Sequence, residues 1–478
     1  MTANYFLKCP ICNAITHMRS PAGYIVRTPV RIHCGNCTTL MTGEFVSDER
    51  TGTCSFVPSN CEQVPRTQSD FYGEASGEVP VHKTCTHRGD SYGLPPFLSP
   101  ALLCMDMVET EILEDYIDYA CHISELTSNW DSRMILYNLM LMQKYDLIRD
   151  KYAVCAEKWM CDLTGEFGIQ KFVHLEYLYD FGYIFGKTGM KKLLTEINYE
   201  IIHLDKSKLR EMTDDIFTAD RIRDIQSKMF KIMEGYISIA LYVMPALSTF
   251  FLKEGKTIDR KNYGISTCSF SDIKNFYLDS FESLASCCDI IKCLDNIKHR
   301  GGYNNFGTKM TAENFRFHTK NGNKVKELVR TEFFSSAFAL SNDAYELRNA
   351  IGHNEYNYDG FCQEIRYRPN KREPNIECCA YLLDVAKECV SLMRSSIVLE
   401  FIAFELIREQ YRASDTDLYF HPILYSKVRS QNRCPCGSGK KYGQCCKSTV
   451  ASNQSIRGFK LPHKAHMRMN VGAFMHNF

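Results

Sequence analysis

From residue 101 to about 265, apolar side chains recur every three or four positions with few turn signals between them, the pattern of amphipathic helices. That spacing predicts helices over 101–126, 130–148, 150–165, 170–186, 190–203 and 216–252. A further helix is predicted over 270–300, stopping at His299-Arg300-Gly301-Gly302-Tyr303. The run Lys324 to Ile351 places Val325, Leu328, Val329, Phe333, Ala337 and Leu340 at helical spacing, with a helix from Phe333 closing at Ile351. Beyond it, Tyr356, Tyr358, Phe361, Ile365 and Tyr367 predict a short hairpin turning near Asp359-Gly360. Ile376 to Arg412 then predicts a long helix with Leu382, Val385, Cys389, Leu392, Leu399, Ala403 and Leu406 as its buried stripe. The N-terminal part differs: Tyr24 to Ile32 is β-rich, and 46–100 is rich in Gly, Pro, Ser and Thr.

These shifts divide the chain into a β module at 1–45, an irregular linker at 46–100, a helical scaffold at 101–265, a second helical domain at 266–415 and a small module with a basic tail at 416–478. The expected class is mainly α, a helical bundle flanked by two small modules. Forty-five per cent hydrophobic and 24% charged residues is the balance of a soluble globular chain. Gly235 to Leu252 carries no charge, but it is about a turn short of a bilayer and contains Pro245 and Ser248, so it reads as a buried core helix. No membrane partner is expected. A net charge of +1 hides an asymmetry: ten Lys or Arg and no acid follow Asp417, giving +10 for the tail and −9 for the rest. A basic tail on an acidic body suits a phosphate-rich partner.

Twenty-three cysteines change the picture most. The chain starts with polar residues and runs into a cysteine knuckle, which predicts no secretory leader and a reducing, cytoplasmic setting. Cys9-Pro10-Ile11-Cys12 and Cys34-Gly35-Asn36-Cys37 have zinc-ribbon spacing, four thiolates closing a tetrahedron with no position left for water. Such a zinc is structural. Lys8, Arg19, Arg27 and Arg31 precede the first acid, Glu44, so the ribbon serves either nucleic-acid contact or simply as a folding staple. Cys54, Cys61, His82, Cys85 and His87 fit no metal spacing well. Asp106, Glu109, Glu111, Glu114, Asp115 and Asp118 spread over three turns, as a solvated face does. There is no phosphate loop, nucleophile elbow or dinucleotide fingerprint.

At the other end, Cys434-Pro435-Cys436-Gly437-Ser438-Gly439-Lys440-Lys441-Tyr442-Gly443-Gln444-Cys445-Cys446 offers four more thiolates, with glycines for a tight wrap. The run closely resembles the SEC-C motif. That resemblance implies a second structural Zn2+, held by Cys434, Cys436, Cys445 and Cys446, in an adaptor that docks on a protein, ribosome or nucleic acid through Lys440, Lys441 and Tyr442.

The candidate chemistry lies in Arg348-Asn349-Ala350-Ile351-Gly352-His353. A guanidinium can hold two phosphate oxygens and offset charge building on phosphorus, and an imidazole can move a proton near neutral pH. Placed at a helix end with a polar Asn349, the pair resembles the active-site pattern of the HEPN superfamily of helical ribonucleases over 270–415. The resemblance implies metal-independent RNA cleavage by 2′-hydroxyl attack, at a site completed by a homodimer, in growth arrest or antiviral defence. Arg348 and His353 stand about 140° apart on a continuous helix, so they converge only if Gly352 breaks it or a second chain supplies one of them. Tyr356 and Tyr358 either stack RNA bases or pack the hairpin. The loop with Asn304, Asn305, Lys309 and Arg316 either lines an RNA path or is ordinary surface. The alternative function is a non-enzymatic zinc-containing adaptor for nucleic acid or the ribosome.

Overall fold

The computed structural model describes residues 2–452 apart from 22, 49–52, 88–109, 160, 254, 308–309, 332–339, 341–343, 370–374, 415–421, 426–427 and 437. The part of the expected helix from Phe333 to Asp343, apart from Leu340, and the basic tail past Ser452 lie outside the described residues.

The chain opens with strands β1 (Thr2–Lys8), β2 (Ile15–Pro21), β3 (Arg27–His33) and β4 (Leu40–Asp48). The segment expected to be irregular continues the β module instead, as β5 (Thr53–Pro58), β6 (Glu62–Val64), β7 (Phe71–Glu74), β8 (Val81–His82) and β9 (Thr86–His87). Two sheets result, ordered β6-β1-β2-β7-β9 and β3-β4-β5. Side chains of period two from both sheets, among them Leu7, Met18, Val30, Met41 and Phe45, meet in a small core of their own. The strands of 53–87 are short and lack strong alternation, and they are held by neighbours far away in sequence, such as Phe71 beside Thr16. Local pattern carries little of that information.

A helical body follows: α1 (Thr110–Ser128), α2 (Trp130–Leu141), α3 (Tyr145–Lys158), α4 (Glu166–Phe181), α5 (Lys187–Ile202), α6 (Lys206–Asp215) and α7 (Ala219–Ser248). The break between α2 and α3 falls at Met142–Lys144, earlier than the sequence predicts. Gln143 sits at φ 54, and the amide of Lys144 donates to the carbonyl of Leu139. A left-handed residue that is not glycine ends the helix, so the usual punctuation is missing. The polar α6 has no prediction behind it; Asp205 caps it by accepting from Ser207 and Lys208. Helix α7 is long and apolar enough to cross a membrane by length and composition, yet it packs inside the body against α1, α8 (Phe270–Ala285) and the long C-terminal helix described next.

A two-residue strand β10 (Tyr263–Gly264) pairs with β8 and ties the β module to the body. The predicted 270–300 helix is two, α8 and α9 (Cys288–Arg300), broken where Arg221 donates to the carbonyl of Ser286. Short helices α10 (Ala312–His318) and α11 (Asn321–Arg330) precede α12 (Ala344–Gly352). The hairpin is present as β11 (Tyr356–Asp359) and β12 (Glu364–Tyr367), with β13 (Cys378–Tyr381) as a third strand where a helix start is expected. Helix α13 (Leu382–Ser414) is the spine: Leu382, Val385, Cys389, Leu392 and Leu406 are fully buried, with the rest of its expected stripe close to it, and it packs on α4, α7 and α8. The predominantly helical class expected from the sequence is what the structure has.

Candidate functional sites

Each knuckle of the N-terminal cysteine cluster closes a β-hairpin, Cys9 and Cys12 between β1 and β2, Cys34 and Cys37 between β3 and β4. The two turns are built alike. The amide of Asn13 donates to the carbonyl of Cys9 and that of Thr38 to the carbonyl of Cys34, while Asn13 and Thr38 sit at φ 58 and 59. Both chains therefore wrap with their thiols turned inward, Cys9 facing Cys37 and Cys12 facing Cys34 at 3.6 Å between sulfurs. A disulfide needs about 2.0 Å, whereas a tetrahedral zinc with bonds of about 2.3 Å sets its sulfurs about 3.8 Å apart. Hydrogen bonds from Thr39 pull the Cys37 thiol down to about 6, toward the thiolate a metal requires. The four sulfurs fit a structural zinc.

At the other end the chain is wound tightly between Asn432 and Val450. The amide of Cys434 donates to the carbonyl of Lys440, that of Tyr442 to Asn432 and that of Gly443 to Ser430. Gly439 at φ 73 supplies the left-handed turn between the cysteine pairs. Cys445 then lies 3.4 Å from Cys436 and 3.6 Å from Cys446, sulfur to sulfur, and all four thiols of the cluster lie within 4.8 Å of one another. Burial opposes ionisation of Cys436, but bonds from Ser438 outweigh it and bring this thiol to about 7. These four sulfurs fit a second structural zinc. Residues 432–448 match the SEC-C motif.

The match covers that module, 17 of the 478 residues. Compared with curated proteins and with solved structures, the chain gives no significant match. The SEC-C module is fixed to the helical body, since Asn198 on α5 donates to the carbonyl of Pro435 at 2.8 Å and Tyr442 packs beside Tyr425. Of the three residues expected to face a partner, Lys440 and Lys441 are exposed and Tyr442 is buried. The tyrosine is an internal anchor.

The third candidate is the end of α12. Arg348 is 23% exposed, and its guanidinium pairs with Glu282 on α8 and donates to the Asn349 side chain at 3.2 Å. Asn321 donates to the other oxygen of Glu282 at 2.5 Å, so the carboxylate is itself held. Gly352 does not break the helix: the amide of His353 donates to the carbonyl of Asn349, as in any α turn. The end comes at Asn354, whose φ is 55. Its amide donates to Ile351 and the amide of Glu355 to Ala350, the paired bonds of a Schellman cap. The structure thus places Arg348, Asn349 and His353 on one helix end, with the guanidinium alongside Gly352 and the exposed imidazole around the axis from it.

Sequence reading missed Glu282 and Asn321, because a partner sixty-six residues away leaves no local signal. Tyr356 and Tyr358 both pack on Phe270, and Lys274 donates to the Tyr356 hydroxyl, so the hairpin tyrosines serve packing. Asn304 accepts from Ala312 and Asn305 donates to Arg300, which makes that loop a folded connection. Among the described residues, no third group of metal-binding side chains gathers.

Proposed function

We propose that this chain is a metal-independent endoribonuclease of the HEPN type that works as a homodimer. The observation that carries the reading is the end of α12, where a guanidinium already steadied by Asn349 and Glu282 lies one turn from an exposed imidazole. In this account Arg348 takes the non-bridging oxygens of the scissile phosphate. His353 moves the proton between the ribose 2′-hydroxyl and the leaving 5′-oxygen, and Asn349 orients the guanidinium. Because α12 runs unbroken past Gly352, the Arg348 and His353 that share one phosphate come from different subunits. The zinc ions hold modules and take no part in bond breaking.

The test is incubation of single-stranded RNA with purified protein in magnesium-free buffer containing a chelator, with zinc content checked in parallel. The expected result is 2′,3′-cyclic phosphate ends, produced at least about a hundredfold more slowly by His353→Ala. Equal cleavage by His353→Ala, or no cyclic ends, contradicts the assignment. The exposed Lys440 and Lys441 on a rigidly docked SEC-C module favour a second reading, a binding adaptor for RNA, ribosome or protein. Tight RNA binding with no cleavage supports that one.

A further inference from the structure

Where the β module meets the helical body, the fold leaves a cavity of about 110 Å³ that neither the zinc nor α12 uses. Its walls come from β3, β8, the turn into α8 and the β11–β12 hairpin. Those walls are tied to one another. The amide of Arg31 donates to the carbonyl of Ser266, and the Gln363 side chain bonds both the amide and the carbonyl of Ile265. Strand β8 pairs with β10, and the His33 ring stands edge-on to Phe361 at 5.1 Å. One water needs only about 10–15 Å³ of such space, so the cavity has room for a ligand of several heavy atoms.

The charged groups around it differ in what they have left to offer. Lys83 donates to the carbonyl of Cys362, on the side where Asp384 and Glu364 act on its charge. Asp272 caps α8 by accepting from the amide of Ser269. Glu74, the one acid among the described residues lining the cavity, accepts from the amide of His82 and is raised to about 7 by burial, so it is only partly ionised at neutral pH. Arg31 is different. It is half-buried on the face of β3 turned away from the zinc-side core, and its side chain has no ion pair or hydrogen bond among the described residues. Its charge acts on the Tyr358 hydroxyl and the Cys268 thiol, and both residues line the cavity. The module's Lys8 and Arg27, by contrast, pair with Glu62 and Glu44.

Two neutral donors accompany the guanidinium. Tyr358 accepts from the amide of Phe270 and keeps its own proton, since burial raises its hydroxyl. The His82 ring, half-buried and 4.3 Å from that of Tyr263, makes no side-chain hydrogen bond among the described residues. Burial lowers it, so it stays neutral with one N–H to give. One fixed positive charge with neutral donors beside it suits a planar monoanion, and a carboxylate can take the guanidinium fork on both oxygens. A phosphate monoester would bring nearly two charges to a single cation.

We propose that this junction cavity binds a small carboxylate, its oxygens on the Arg31 guanidinium with Tyr358 and His82 donating beside it. The binding does not depend on the ribonuclease reading. The experiment is isothermal titration of sodium propionate into the full zinc-loaded chain, with propionamide and inorganic phosphate titrated separately. Propionate binds saturably and at least about tenfold more tightly than propionamide, which keeps the shape and lacks the charge. A ligand held only by the folded chain also raises its melting temperature. Arg31→Gln weakens propionate binding at least about tenfold and Tyr358→Phe about threefold. Arg27→Gln, on the same strand but already paired with Glu44, changes it less than about twofold. Zinc content and melting temperature certify that each variant folds. Four results overturn the proposal: propionamide binding as tightly as propionate, a folded Arg31→Gln that keeps its affinity, phosphate binding more tightly, or no saturable binding because the cavity holds water alone.

Discussion

Two buried groups carry the clearest consequences at the scale of single residues. Arg221 on α7 and Asp289 on α9 form an ion pair in which both side chains are 2% exposed. Asp289→Ala takes the buried carboxylate from Arg221 and leaves it only the partly exposed Asp224 on its other nitrogen, which costs about 2–3 kcal/mol and lowers the urea midpoint. Replacing both by Met and Leu restores most of that loss. Glu74 gives a pH signature. Burial raises its carboxyl from the ordinary range to about 7, so between about 4.5 and 7 the folded chain holds a proton that the unfolded chain releases. Stability therefore falls as pH rises through that window, by about 3 kcal/mol in all. Glu74→Gln keeps an acceptor for the backbone N–H of His82 and flattens the slope, to which Asp180 and Glu78, also raised by burial, still contribute; chemical denaturation at pH 5 and pH 8 measures the change. An unchanged slope would mean that Glu74 is hydrated and ordinary. Neither group was visible as special in the sequence, because burial is set by what packs around it.

At the scale of elements, helix ends separate what is legible from what is not. Cysteine knuckles are legible because their ligands lie within a few residues of one another and the metal imposes their spacing. The long α13 is legible in its apolar stripe, and the hairpin in its alternation around Asp359-Gly360. The stop of α2 is not, because Gln143 does what glycine usually does; α12 stops one residue past the expected Ile351, with Asn354 rather than a glycine making the cap. The strands of 53–87 escape for a related reason: distant neighbours choose their conformation. Since α12 continues through Gly352 and a Cβ there would lie 3.7 Å from the Arg348 side chain, an ordinary contact, Gly352→Ala is tolerated. It raises stability by about 0.5–1 kcal/mol. A destabilised Gly352→Ala would show that the helix does break there. Asn354→Val, forced into a left-handed backbone, costs about 1–2 kcal/mol in the same thermal melts.

At the scale of the molecule, a helical body around α13 holds a zinc-stapled β module through β8 and β10 and a zinc-stapled SEC-C module through Asn198. Metal released by thiol modification should amount to two zinc ions per chain, one for each cluster. Stripping it should unfold both modules while the far-ultraviolet helix signal persists, because α13 and its neighbours bury their own core. Loss of the helix signal with the metal would place the zinc at the centre of the fold.

The claim on which the functional account turns is that one subunit's Arg348 works with another's His353. Arg348→Ala and His353→Ala, each inactive alone, are refolded together as an equal mixture and assayed for cyclic-phosphate ends. Half of the random dimers are mixed and each of these carries one intact site of two, so about a quarter of wild-type activity returns. A mixture as inactive as its components, from dimers shown to exchange, contradicts a site shared between subunits.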